Sequence, residues 1–304
     1  MRFKTQISQH PVPSSILAIF VATLSIQYGA TLAKALFTTL GPAQTALIRL
    51  SFASLFLSAI WKPWKLRLKP SDLKLILAYG ASLGCMNFCF YLSLQRIPLG
   101  IAVALEFTGP LALSLLSSKK ALDFLWALLA ILGLILITPI QHTSSYGLDP
   151  TGMSYALLAG LCWVSYIIFG QRAVKKVPGH YVATLGMITA TLAVLPFAVF
   201  HGITLSQYNL NILSLGLLVA LLSSALPYSL EMIALKHLPT QTFGILMSLE
   251  PAIAALIGLL FLREQLILPQ VLSILMIVTA SLGSALSASR YRKKRTPTLQ
   301  EIPL

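Results

Sequence analysis

Four charged side chains stand inside apolar stretches of this 304-residue sequence, where a charge needs a reason. Glu106 lies near the middle of PLGIAVALEFTGPL (98–111), Glu250 directly precedes Pro251, Glu231 follows Pro227 by one helical turn, and Arg49 interrupts the apolar run 43–60. In hydrocarbon an ionisable group is costly unless it faces protein or water, so each of the four marks a candidate functional position. Pro110 sharpens the case for Glu106. It has no N–H to bond the carbonyl four residues back, and that carbonyl belongs to Glu106 itself. Acid, unclaimed carbonyl and helix break thus fall within one turn, and Pro227 and Pro251 place comparable breaks beside Glu231 and Glu250.

Acids and a guanidinium held apart in an apolar setting suit a zwitterion. Glu106 or Glu250 matches an ammonium, and Arg49 matches a carboxylate through its planar fork. A carboxyl removed from water can also exchange protons near neutrality, so proton and ammonium would compete for one acid and give antiport. The expected partners are therefore a small amino-acid substrate and protons. Among the acids, Glu106 is expected to matter most. Gln27, Asn87, Tyr91, Trp163, Tyr166 and Tyr228 supply polar or aromatic lining, although each alone also fits ordinary helix packing. Lys34 sits near a span end, where it serves either as an interfacial anchor or in the site.

These residues need a membrane bundle to position them. Hydrophobic residues make up 57% of the chain and charged ones 10%, with a mean hydropathy of +0.83, which excludes a water-soluble domain of this length. At about 20 residues per helix, ten spans use about 200 residues and leave only short loops and tails. The expected fold is an all-α polytopic membrane protein with spans near 16–33, 43–60, 73–95, 98–117, 122–139, 150–170, 181–200, 211–235, 241–262 and 268–288. On that scheme Glu106 and Glu250 lie about 12–14 Å into their spans, near the midplane. The first run ends in Ala33-Lys34-Ala35, which mimics a cleavage site, but its apolar part exceeds the 7–15 residues of a signal peptide and it is read as a span.

Loop charge orients the bundle. With both termini in the cytoplasm, 18 of the 22 basic residues fall on the cytoplasmic side, in agreement with the positive-inside rule. The net charge of +14 is thereby a topology signal and gives no reason to expect nucleic acid. The basic tail RYRKKR can touch anionic membrane lipids.

The two halves repeat. A shift of 141 residues lays Pro98 on Pro239 and Pro110 on Pro251, and Asn87 on Tyr228. Five spans per half is odd, so the second copy, residues 150–288, enters the membrane inverted relative to the first, residues 14–140. The tails are 1–13 and 289–304. Inverted repeats with interrupted helices place a substrate site at the midplane between the halves. No cofactor is implied. Cys85, Cys89 and Cys162 lack companions at metal-ligand spacing, so no metal site is expected, and the five histidines form no relay. A membrane-embedded enzyme would need a catalytic cluster that the sequence does not show. A passive channel would favour rings of like charge over these few charges of mixed sign. The oligomeric state is left open.

Three stretches carry a further signal: PLGIAVALEFTGPLA (98–112), ALPYSLEMIAL (225–235) and FGILMSLEPAIAA (243–255). They resemble the drug/metabolite transporter superfamily, EamA type, most closely the bacterial inner-membrane threonine/homoserine exporters, and the resemblance covers nearly the whole chain. It implies ten helices in two inverted repeats and proton-driven efflux of small neutral amino acids, with Lys34, Arg49, Glu106, Glu231 and Glu250 at matching positions. Other members of the superfamily export other metabolites or drugs, which is the alternative reading. LREQL (262–266) departs from the family pattern, since Arg263 precedes Glu264 where Gly is usual, and no role is carried onto Glu264.

Overall fold

The computed structural model describes residues 11–116, 121–137, 149–202, 207–228, 230–231 and 246–295. Pro239, the first part of the ninth expected span, Lys119, Lys120, Lys236 and the ends of both tails lie outside the described residues. Among the described residues the chain is helical, with no strand. That is what a chain in hydrocarbon requires, because a helix satisfies its own backbone polar groups where no water can.

The breaks between helices fall on residues chosen for them. A single run, Pro11–Trp61, divides at Gly41 (φ 71°), giving α1 (11–40) and α2 (42–61) with Pro42 opening the second. Only glycine takes that left-handed angle freely, and the following proline needs no N–H partner. Next come α3 (Pro70–Leu94), α4 (Leu99–Leu116), α5 (Ala121–Ile137), α6 (Pro150–Val174) and α7 (Gly179–Phe200). The last three are α8 (Leu210–Tyr228), α9 (Glu250–Leu262) and α10 (Leu268–Arg295). Five of the helical runs are long and apolar enough to cross a membrane, the α1–α2 run among them, and α4, α5, α9 and α10 contain shorter apolar stretches. The first helix is longer than the expected 16–33, because nothing before Gly41 stops it.

Two of the three expected breaks are milder than a full stop. Pro110 lies inside α4, which continues past it, and Pro227 follows a π-helical turn, Leu221–Ala225, inside α8. Pro251 does mark a true start: α9 begins at Glu250.

α4 is the centre of the bundle. Its residues 99–107 are buried on every side, and it packs against α6, α9 and α10. A helix apolar all round belongs in an interior, which is why the acid it carries at Glu106 is enclosed. Glycines set the closest crossings. A Cβ on Gly160 of α6 would meet the Glu106 carbonyl at 2.5 Å, so only a bare α-carbon lets α6 lie over the oxygen that Pro110 leaves unclaimed. The outward faces are the opposite: Phe124, Phe200, Leu260 and Leu268 are exposed, as lipid-facing side chains should be.

Candidate functional site

Arg49 is buried, and three of its five N–H groups are committed. Nε donates to Ser224 Oγ at 3.0 Å, Nη1 to Tyr91 OH at 3.1 Å and Nη2 to the main-chain oxygen of Ser223 at 2.8 Å. The local sequence of α8 explains the last contact. Pro227 has no N–H for the carbonyl four residues back, which is that of Ser223, and the π-helical turn shifts the surrounding bonds. Tyr91, fully buried, also places its ring under the guanidinium at 5.4 Å and is braced edge-on by Phe37. Among the described residues this leaves one N–H on each of Nη1 and Nη2, the pair that a carboxylate takes in a fork.

The acids lie close by. Glu250 opens α9 in its first turn, where the helix dipole favours an anion. Gln27 of α1 donates to its Oε1 at 3.1 Å. Glu250 Oε2 and Gln27 Oε1 are buried with no hydrogen-bond partner among the described residues. Glu106, on α4, lies within electrostatic reach of both Glu250 and Arg49, and Glu231, three residues beyond α8, within reach of Glu250. Among the described residues neither Glu106 nor Glu250 forms an ion pair. Two contacts hold α1 against the π-helical turn: Ser25 Oγ donates to Leu222 O at 2.6 Å, and Gly29 faces Ser223 with no side chain between.

Gln27, Arg49, Tyr91, Glu106 and Glu250 thus come together, with Glu231 and Tyr228 beside them. Four expected residues do not join this cluster directly. Asn87 turns its amide back to Leu83 O of its own helix at 2.8 Å. Trp163 meets Phe107 edge-on, and Tyr166 stacks on Tyr79 with ring centroids 4.9 Å apart. Lys34 pairs with Glu264 at 2.7 Å, at the far end of α1. Glu264 spends its other oxygen on the N–H of Leu99, the first residue of α4, at 2.8 Å. Sequence reasoning missed Ser223, Ser224, Tyr79 and Glu264. For Ser223 a signal existed in Pro227 four residues on.

Comparison with known proteins agrees with this architecture. Residues 150–286 match the EamA-like transporter family. The threonine/homoserine exporter RhtA of Salmonella typhimurium is 50% identical over 292 residues, which is 96% of each chain. RhtA of Escherichia coli K12 is 48% identical over 283 residues, 93% of this chain and 95% of its own. A solved crystal structure shares the fold, with a TM-score of 0.62 at 17% identity over 92% of this chain and 99% of that one. With about half of its residues identical to those of the RhtA exporters along nearly its whole length, the chain belongs to the EamA-like transporter family, a family of transporters and not of enzymes.

Proposed function

We propose that this protein exports small neutral amino acids, threonine and homoserine first among them, from the bacterial cytoplasm across the inner membrane in exchange for protons. One observation carries the reading: an enclosed cluster holds Arg49 with two N–H groups to spare and, apart from it, Glu106 and Glu250 without a cation partner among the described residues. An amino acid presents the complementary pair, carboxylate to Arg49 and ammonium to the acids. The names of its relatives point to the same substrate class.

In this reading the chain crosses the membrane ten times as two inverted repeats, 14–140 and 150–288, with both termini cytoplasmic. Packing supports it. α3 lies against α6 and α7, while α8 lies against α1 at Gly29–Ser223 and against α2 at Ile48–Gly216. Each of these contacts is the other's counterpart five helices away. Likewise α4 against α6 answers α9 against α1, while α4 against α9 and α5 against α10 are self-paired, as at Gly100–Ala255 and Gly133–Ser273.

Counterflow of labelled threonine in proteoliposomes tests the function. A carrier accelerates entry of label when unlabelled threonine is inside; absence of that acceleration for every neutral amino acid tried refutes it. Reporter fusions at Lys294 and within 140–149 test the topology, and a periplasmic signal at Lys294 sinks the ten-span scheme.

A further inference from the structure

The contact between Gln27 and Glu250 is half made. One hydrogen bond joins the carboxamide nitrogen to the carboxyl, and the carboxamide oxygen, Gln27 Oε1, and the other carboxyl oxygen, Glu250 Oε2, have no partner among the described residues although the residues are only 1% and 6% exposed. A polar pair whose task is to hold two helices together closes both bonds, since a buried acceptor without a donor is unfavourable. Here two acceptors are joined through their neighbours and lack a donor between them. Either of two donors serves. When protonated, Glu250 Oε2–H can donate a hydrogen bond to Gln27 Oε1, which completes a carboxyl–carboxamide ring. An ammonium, with three N–H groups, can bond both oxygens at once.

We infer that Gln27 Oε1 and Glu250 Oε2 form the cation subsite of this transporter, filled in turn by one proton and by the substrate ammonium. The inference rests on the amino-acid reading above and adds to it which acid exchanges and what assists it. When the ammonium arrives, the O–H bond on Glu250 breaks, the proton leaves to water, and the carboxylate so formed bonds the ammonium. When substrate leaves, a proton from water restores the acid.

The surroundings favour a cation at this point. Glu106 on α4 and Glu231 beyond α8 both face Glu250 electrostatically, and the one cation near them among the described residues, Arg49 on α2, is engaged by Ser224, Tyr91 and the Ser223 carbonyl. Glu106 differs from Glu250 in having no carboxamide hydrogen-bonded to it among the described residues. Gln27 is fixed in place by its neighbours, since Ser25 and Gly29 lock α1 to the π-helical turn.

The test is calorimetric titration of threonine into the purified full-length protein in nanodiscs, run in two buffers of different ionisation enthalpy to count protons. Wild type is expected to release about one proton per threonine bound. Glu250→Gln should release none and bind about tenfold more weakly, and Gln27→Met should keep the release while losing about tenfold in affinity. 2,3-Dihydroxybutanoate, which has a hydroxyl where threonine has its ammonium, should release no proton from wild type. Undiminished release from Glu250→Gln, or unaltered affinity in Gln27→Met, overturns the inference and leaves the amino-acid reading standing. A wild-type protein that binds neither threonine nor homoserine removes both. Should Glu250→Gln fail to purify, Gln27→Met and the hydroxy acid decide the matter alone.

Discussion

Ser223 offers its main-chain oxygen to Arg49 because Pro227, four residues on, has no N–H to claim it. A proline in α8 thereby frees a carbonyl that fixes a guanidinium on α2, the Ser223–Arg49 contact spanning 174 residues of sequence. The position of the arginine's free edge depends on the backbone of α8 as much as on Arg49 itself.

Arg49→Lys should show this. An ammonium is a point donor and cannot serve Ser224, Tyr91 and the Ser223 carbonyl in one plane while keeping a fork free. The KM for threonine in proteoliposomes should rise about tenfold or more at unchanged protein level. Pro227→Ala should shift the KM in the same direction, because a restored N–H competes for the Ser223 oxygen. Unchanged kinetics in both would make Arg49 a helix-pair contact only.

Glu264 holds two partners, and two variants separate them. Glu264→Gln still accepts from the Leu99 N–H but loses the charge that Lys34 pairs with, whereas Glu264→Ala loses both. Thermal unfolding in detergent should place the alanine variant about 1 kcal/mol below the glutamine one, the usual worth of a capped helix start. Lys34→Met should resemble Glu264→Gln, since a partly exposed ion pair contributes little.

The helices were readable in the sequence because apolar runs bounded by proline and glycine leave a chain in lipid few choices. Arg49 and the acids were readable because charge is rare there. What could not be read was which partner each would find. Lys34 and Glu264 meet across 230 residues, and the sequence assigns Glu264 no role because Arg263 stands where glycine is usual. The structure shows Arg263 in the left-handed conformation (φ 53°) at the end of α9, so the turn that glycine would favour is made without it. Glu106 drew attention through Pro110, yet α4 continues past that proline and Gly160 covers the unclaimed carbonyl. Glu250 drew less, and its bare oxygen is visible only once Gln27 is beside it.

Gly160→Ala should be destabilising out of proportion to its size. Its Cβ would sit 2.5 Å from the Glu106 oxygen, which is backbone and cannot swing away. Separating α4 from α6 should cost about 1–3 kcal/mol, read as a lower melting temperature. Gly41→Ala makes an instructive contrast: among the described residues its Cβ would meet no packing neighbour within 4 Å, so any loss there reports the φ of 71° alone.

Asp149, at the start of α6, gives a prediction for acid. The Arg96 side chain that donates to it at 2.7 Å holds its carboxyl below the usual carboxylate range, helped by the Thr151 N–H that it caps. A lowered value means stabilisation present above the unfolded-state pKa of about 3.9 and lost as pH falls through the folded one. Asp149→Asn keeps an oxygen for the cap but has no charge to lose. Wild type should therefore lose more melting temperature than the variant between pH 5 and pH 3, and parallel curves would refute the assignment.

The Leu99 hydrogen bond also makes a clock. The first amides of a helix ordinarily face water and exchange their hydrogen for deuterium within moments. The one on Leu99 is sealed by a carboxylate from beyond α9, so it exchanges only when that end of α9 and the start of α4 part company. Deuterium uptake at this single nitrogen then records how often the two halves separate there. Uptake that quickens while threonine turns over would put that separation within the transport cycle itself.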